Sequence, residues 1–161
     1  MTYKIRHENM MKSVRMAAFW NNADYVVSSS TAPVTRQYKI NTLVQASGMG
    51  LTISSDSIIL ESKRYILYFK PGISTGTSTL ESTVFFRLNG VTITGEQFAA
   101  STDDNVAGAV VFTSPIPFAY ASIDANQGDI LTVWQTFTAG SGVTQTCITP
   151  YTKGFILEVS R

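Results

Sequence analysis

Few side chains able to do chemistry occur in this chain, and they are scattered. The one cysteine, Cys147, has one histidine to work with, His7. A nucleophilic thiol needs an imidazole beside it to hold the thiolate, and His7 sits far away in a basic N-terminal stretch. Cys147 lies in Thr146-Cys147-Ile148, a strand-like run in which a small thiol packs as a hydrophobe. A lone cysteine also excludes a disulfide within the chain. Asp103-Asp104-Asn105 offers the hard oxygen donors that calcium takes, and Asp124, Asn126 and Asp129 offer a second such set. The same residues are ordinary formers of loops and turns, which is the reading adopted for both. The eleven Asp and Glu residues are spread along the chain, so no pair stands out as the acid and base of a glycosidase. Gly48-x-Gly50 precedes no helix and makes no phosphate loop. Tyr120, Tyr151 and Trp134 suit a sugar platform, although aromatics of this kind more often fill a core or an interface. The residues therefore predict no catalytic site, no metal and no cofactor, and a chain that is not an enzyme.

The elements that would hold these residues are strands. From residue 36 onward, short runs of β-branched and aromatic residues alternate with turn signals. The strand runs are 36–44, 51–53, 57–60, 65–70, 83–88, 91–93, 109–113, 118–123, 130–138, 145–148 and 155–160. Asn89-Gly90 is the strongest hairpin signal, because both central residues of a type I′ turn need positive φ. Val84, Phe86 and Leu88 are expected on one sheet face. Short strands at hairpin spacing with no helical period between them predict an all-β sandwich or jelly roll. Met10 to Trp20 is the one stretch with helical spacing, with an extended basic arm as the alternative. Ser28-Ser29-Ser30-Thr31-Ala32-Pro33 reads as a linker. The expected organisation is an N-terminal arm and linker over 1–33 and a head domain over 34–161.

Charge divides the chain along the same line. Residues 1–40 carry six basic and two acidic residues, a balance of +4; residues 41–161 carry six basic and nine acidic, a balance of −3. Charged residues make up only 14% of the chain, well below the usual quarter. Ser and Thr fill the gap, as in strand-rich proteins found outside cells or in particles. The net charge of +1 gives no sign of nucleic acid as a partner, and no run approaches the ~20 apolar residues of a membrane span. The start is too short in apolar residues for a signal peptide.

Four pieces of the sequence resemble the jelly-roll heads of the tumour-necrosis-factor and complement-type globular superfamily, above all its bacterial spore-surface and phage versions. Ile58-Ile59-Leu60-Glu61-Ser62-Lys63-Arg64-Tyr65-Ile66-Leu67 is similar to the family's strand, turn and Tyr-x-aliphatic entry, with Lys63 or Arg64 where Gly is usual. Phe86-Arg87-Leu88-Asn89-Gly90-Val91-Thr92-Ile93 resembles its central hairpin. Gln127-Gly128-Asp129-Ile130-Leu131-Thr132-Val133 resembles its Gly-Asp-x-aliphatic-x-aliphatic strand. Gly154-Phe155-Ile156-Leu157-Glu158-Val159 resembles its last strand. The resemblance implies a ten-stranded antiparallel jelly-roll sandwich and a homotrimer, but no particular ligand.

Strand periodicity adds a physical reason for self-association. In Tyr65-Ile66-Leu67-Tyr68-Phe69 and in the run from Ile130 to Phe137, both alternating sets are apolar, so neither face belongs in water. Leu67, Phe69, Leu131 and Val133 are expected in the sandwich core, and Ile66, Tyr68 and Trp134 at the trimer interface. Lys4, Arg6, Lys12, Arg15, Phe19 and Trp20 are expected to anchor the arm to a capsid or tail protein. The function that follows is a virion structural protein: a phage capsid decoration, head-fibre or tail attachment protein at the particle surface. A host-surface glycan is a further candidate partner. A bacterial cell-surface or spore-surface binding module is the alternative, and a glycan-active enzyme a remoter one.

Overall fold

The computed structural model describes residues 14–23, 25–27, 34–71, 73–75, 80–93, 99–102, 118–139, 145–147 and 153–159. Among these the chain forms strands and no helix: β1 Arg15–Trp20, β2 Tyr25–Val27, β3 Val34–Gln37, β4 Thr42–Gln45 and β5 Thr52–Ser54. Then come β6 Ser57–Ile59, β7 Arg64–Lys70, β8 Ile73–Thr75, β9 Leu80–Leu88 and β10 Val91–Thr92. The last are β11 Ala99–Thr102, β12 Ala119–Asp124, β13 Ile130–Ala139, β14 Gln145–Cys147 and β15 Lys153–Val159.

Two antiparallel sheets make the sandwich. One has five strands in the order β12-β7-β15-β1-β4. The other has seven, running β10-β9-β13-β6-β5, with β11 also on β9 and β3 also on β13. A smaller sheet, β2-β14-β8, stands apart from these paths. Chain neighbours repeatedly fall in different sheets, as β3 and β4 do and as β6 and β7 do, which is jelly-roll connectivity. The run expected as one strand over 36–44 is therefore two, because the chain crosses from one sheet to the other through Tyr38 and Ile40, both in the core.

The core follows the alternation. Tyr65, Leu67 and Phe69 of β7 and Leu131 and Val133 of β13 are buried, as the sequence predicts. Val84 and Phe86 face the same interior, with Leu88 packed against it. Asn89 and Gly90 have φ of 50° and 81° and join β9 to β10 as a tight hairpin.

The N-terminal strand is the main departure. The helical spacing over 10–20 does not give a helix within the described residues; Arg15–Trp20 is a strand between β15 and β4. Two full ladders outweigh the helix propensity of Met16-Ala17-Ala18. Residues 15–20, assigned to the arm, thus belong to the head. Gly154 of β15 makes their fit possible. It pairs with Phe19 on one side and Phe69 on the other. Lacking a side chain, it lets the two rings stack across it, 5.9 Å apart and 11° from parallel. Phe19 is wholly buried.

Candidate functional site

The outer face of the five-stranded sheet is the prominent feature of the surface. Alternation that sends Ala17, Phe19, Leu67, Phe69 and Ile156 inward sends Met16, Ala18, Ile66, Tyr68, Phe155 and Leu157 outward. Register then lines these up across strands. One row runs Val44, Ala18, Phe155, Tyr68, Tyr120, one residue from each strand. The next runs Met16, Leu157, Ile66, Ser122. Tyr68 anchors an aromatic group, 6.2 Å from Phe155 and 5.8 Å from Phe118. Met16, Val44 and Tyr120 are 51%, 59% and 41% exposed, large values for such side chains on a sheet face. Five strands about 4.8 Å apart and about four residues along each give a patch on the order of 300 Å². That is at the lower end of the largest apolar patches found on monomers, and such patches are often functional.

Charge borders the patch. At one margin Arg64 donates from Nε and a terminal nitrogen to the two carboxylate oxygens of Asp124, at 2.9 and 3.0 Å. This fork raises the pKa of Arg64 through the hydrogen bond and the charge of Asp124. At the other margin Lys70 and Lys153 lie opposite each other on β7 and β15. The rows between them carry no charged side chain, the composition expected of a buried interface centre with a polar rim.

A second cluster closes one end of the sandwich from inside. Glu158, Arg15 and Tyr65 are cross-strand partners on the inward face. Glu158 is buried and accepts from Arg15 and, at 3.2 Å, from Lys63. Lys63 also lies 3.5 Å from Glu61, and Arg15 donates to the carbonyl of Gly48 at 2.7 Å. Burial pushes the Tyr65 phenol up, and the carboxylates of Glu158 and Glu61 add to this. The cations neutralise the buried carboxylate, so the cluster is a structural cap, costly to break on one side only.

Of the residues expected at the trimer contact, Ile66 and Tyr68 lie together on the apolar face. Trp134 does not. It is on β13 of the other sheet, facing outward, with the Arg87 guanidinium 4.1 Å over its ring. The two sheets turn their outer faces in opposite directions, so Trp134 cannot share one face with Ile66 and Tyr68. Of the expected anchoring residues, Lys4, Arg6 and Lys12 lie outside the described residues. Arg15 is held by Glu158 and Phe19 is in the core, so neither is free to dock. Trp20 is half-buried at the end of β1. Asp103 and Asp104 lie outside the described residues. Asp129 accepts from the Asn126 amide at 2.8 Å and the Asn89 side chain at 2.9 Å, which hold its carboxyl below the usual range. That is turn chemistry. Tyr120, weighed as a sugar-platform or interface aromatic, lies on this face; Met16, Val44, Phe155 and Leu157 were missed as surface residues. The signal for the last two was present in Phe155-Ile156-Leu157, apolar on both sides like β7.

No protein-family description and no characterised protein matches the chain in sequence. Its fold does match solved structures. Murine APRIL at pH 5.0 superposes with a TM-score of 0.56 at 13% identity, covering 91% of this chain and 100% of that one. The pH 8.0 structure of the same protein gives 0.53 at 14%, with the same coverage. Eiger TNF from S. frugiperda gives 0.51 at 12%, covering 91% and 93%. The chain therefore has the TNF-like jelly-roll fold. Identities this low speak for the fold alone.

Proposed function

We propose that this chain is a non-enzymatic structural and attachment protein of a virus particle, a phage protein by preference. Its jelly-roll heads assemble as a homotrimer through the outer face of the five-stranded sheet. The observation that carries the assembly is the pair of uncharged rows across β4, β1, β15, β7 and β12. Leaving them in water forgoes about 25 cal/mol for each Å² of apolar surface that a partner would cover. A second copy of the chain is the economical partner, and the threefold order is what the resemblance of the head implies. The particle reading has other support: a surface poor in charge and rich in hydroxyls, and a basic balance of +4 in the first forty residues. With Arg15 and Phe19 committed to the head, Lys4, Arg6, Lys12 and the half-buried Trp20 are the residues left to meet a capsid or tail protein.

The test of assembly is the mass of the purified chain beside that of Leu157→Arg. The substitution places a charge in the second row without entering the core, so the variant should fold and lose self-association. The particle reading is tested by immunogold labelling of virions from cells carrying the gene. Label at the particle surface supports it, and label confined to the cell wall favours a cell-surface module.

A further inference from the structure

We propose that Arg87, lying on Phe85 and Trp134, binds the carboxylate of an acidic sugar. The site is on the outward face of the seven-stranded sheet. Val84 and Phe86 point into the core, so Phe85 and Arg87 between and beyond them point out. Phe85 pairs with Trp134 across the ladder, and Arg87 with Thr132. The guanidinium carbon sits 4.1 Å from the centre of the Trp134 ring and 5.4 Å from that of Phe85. Trp134 is itself fixed, its indole N–H donating to the Thr132 hydroxyl at 2.9 Å.

The arginine is held in place but not satisfied. Its Nε is excluded from water and has no hydrogen-bond partner. Among the described residues no carboxylate forms an ion pair with it, whereas Arg15 has Glu158 and Arg64 has Asp124. With Nε excluded from water, a guanidinium stacked on aromatic rings offers its two terminal nitrogens to a planar, two-oxygen acceptor. Packing on the rings also removes most of the side-chain freedom that such binding would otherwise cost. The surroundings favour a sugar over an acidic peptide. The hydroxyls of Thr35 on β3 and of Thr136, two residues along β13 from Trp134, meet at 2.8 Å in the next outward row. Hydroxyls there match the alternating donors and acceptors of a pyranose. A glutamate side chain would use the arginine and leave the rest idle.

The site faces away from the assembly face, so the two proposals fail separately: a monomer that binds sugar or a trimer that does not tells them apart. The test titrates the full chain with sialyllactose, with a hyaluronan tetrasaccharide, with neutral lactose and with tetraglutamate, following the Trp134 indole signal by NMR. Saturable binding of either acidic sugar below about 10 mM is expected, and which one binds names a sialic or a uronic acid as the source. Arg87→Met, which keeps the apolar stem over Trp134, should weaken that binding by at least about tenfold. Should that variant fail to fold, Arg87→Lys carries the test, with a loss of about threefold or more expected from the missing fork. No binding of either acidic sugar would overturn the proposal. So would equal binding of lactose, binding unchanged by the substitution, or tetraglutamate binding as well as the sugars, which would instead indicate an acidic protein partner.

Discussion

Replacing Gly154 with Ala should destabilise the head through a single contact. A Cβ at this position would fall inside the van der Waals envelope of Phe19 carbons Cζ, Cε1 and Cε2. To restore an ordinary carbon–carbon separation of about 3.5–4.0 Å, the ring would have to retreat by on the order of 1.5 Å. It has no room: Phe19 is wholly buried and stacks on Phe69 at 5.9 Å. Overpacking of this kind costs about 1–3 kcal/mol, or a fall in Tm of roughly 2–12 °C for a domain of this size. Phe19→Leu alone makes a small cavity at the same place, costing about 1–2 kcal/mol. Combined, the smaller side chain makes space for the new methyl, so the double variant should be less destabilised than the sum by about 1 kcal/mol or more. Urea denaturation of the four proteins gives the coupling. A Gly154→Ala protein with unchanged stability, or two strictly additive effects, would refute the packing of β1 against β15.

Gly90→Val isolates backbone strain, because nothing lies within 4 Å of a Cβ there and the cost comes from φ of 81°; thermal melting should show a loss of about 1–2 kcal/mol. Asp129 gives an acid-side signature. Its folded pKa is held below the ordinary 3.8 by the Asn126 amide and the Asn89 side chain, so its contribution is full above the unfolded value and fades as pH falls through the folded one. Asp129→Asn should therefore melt below the parent near pH 7, with the gap closing as the pH falls below 3.8; a gap independent of pH would contradict this. Deleting residues 1–20 should abolish folding as read by near-UV circular dichroism, since β1 lies inside the five-stranded sheet.

Much of the sandwich was legible because its signals are local. Asn89-Gly90 marks its hairpin through φ alone, and Tyr65 to Phe69 and Ile130 to Val133 declare strands apolar on both faces. β1 was not legible. Met16-Ala17-Ala18 has helical propensity, and what makes it a strand is the glycine at 154, far away in the chain. The apolar face was legible strand by strand, as at Ile66 and Tyr68. Its extent was not, because the row from Val44 to Tyr120 exists only once the order β4-β1-β15-β7-β12 is known. The same gap in topology grouped Trp134 with Ile66 and Tyr68, which lie on the other sheet. Arg15 read as an anchoring cation of the arm because Glu158, its partner, is at the other end of the sequence.

The central claim is that the outer face of the five-stranded sheet joins copies of this chain. Light scattering on the eluting peak of the full chain, at micromolar concentration, tests it most directly. A mass near three times 17.6 kDa is expected, falling to one chain in Leu157→Arg without loss of the β-sheet circular dichroism signal. A parent protein at the mass of one chain would contradict it.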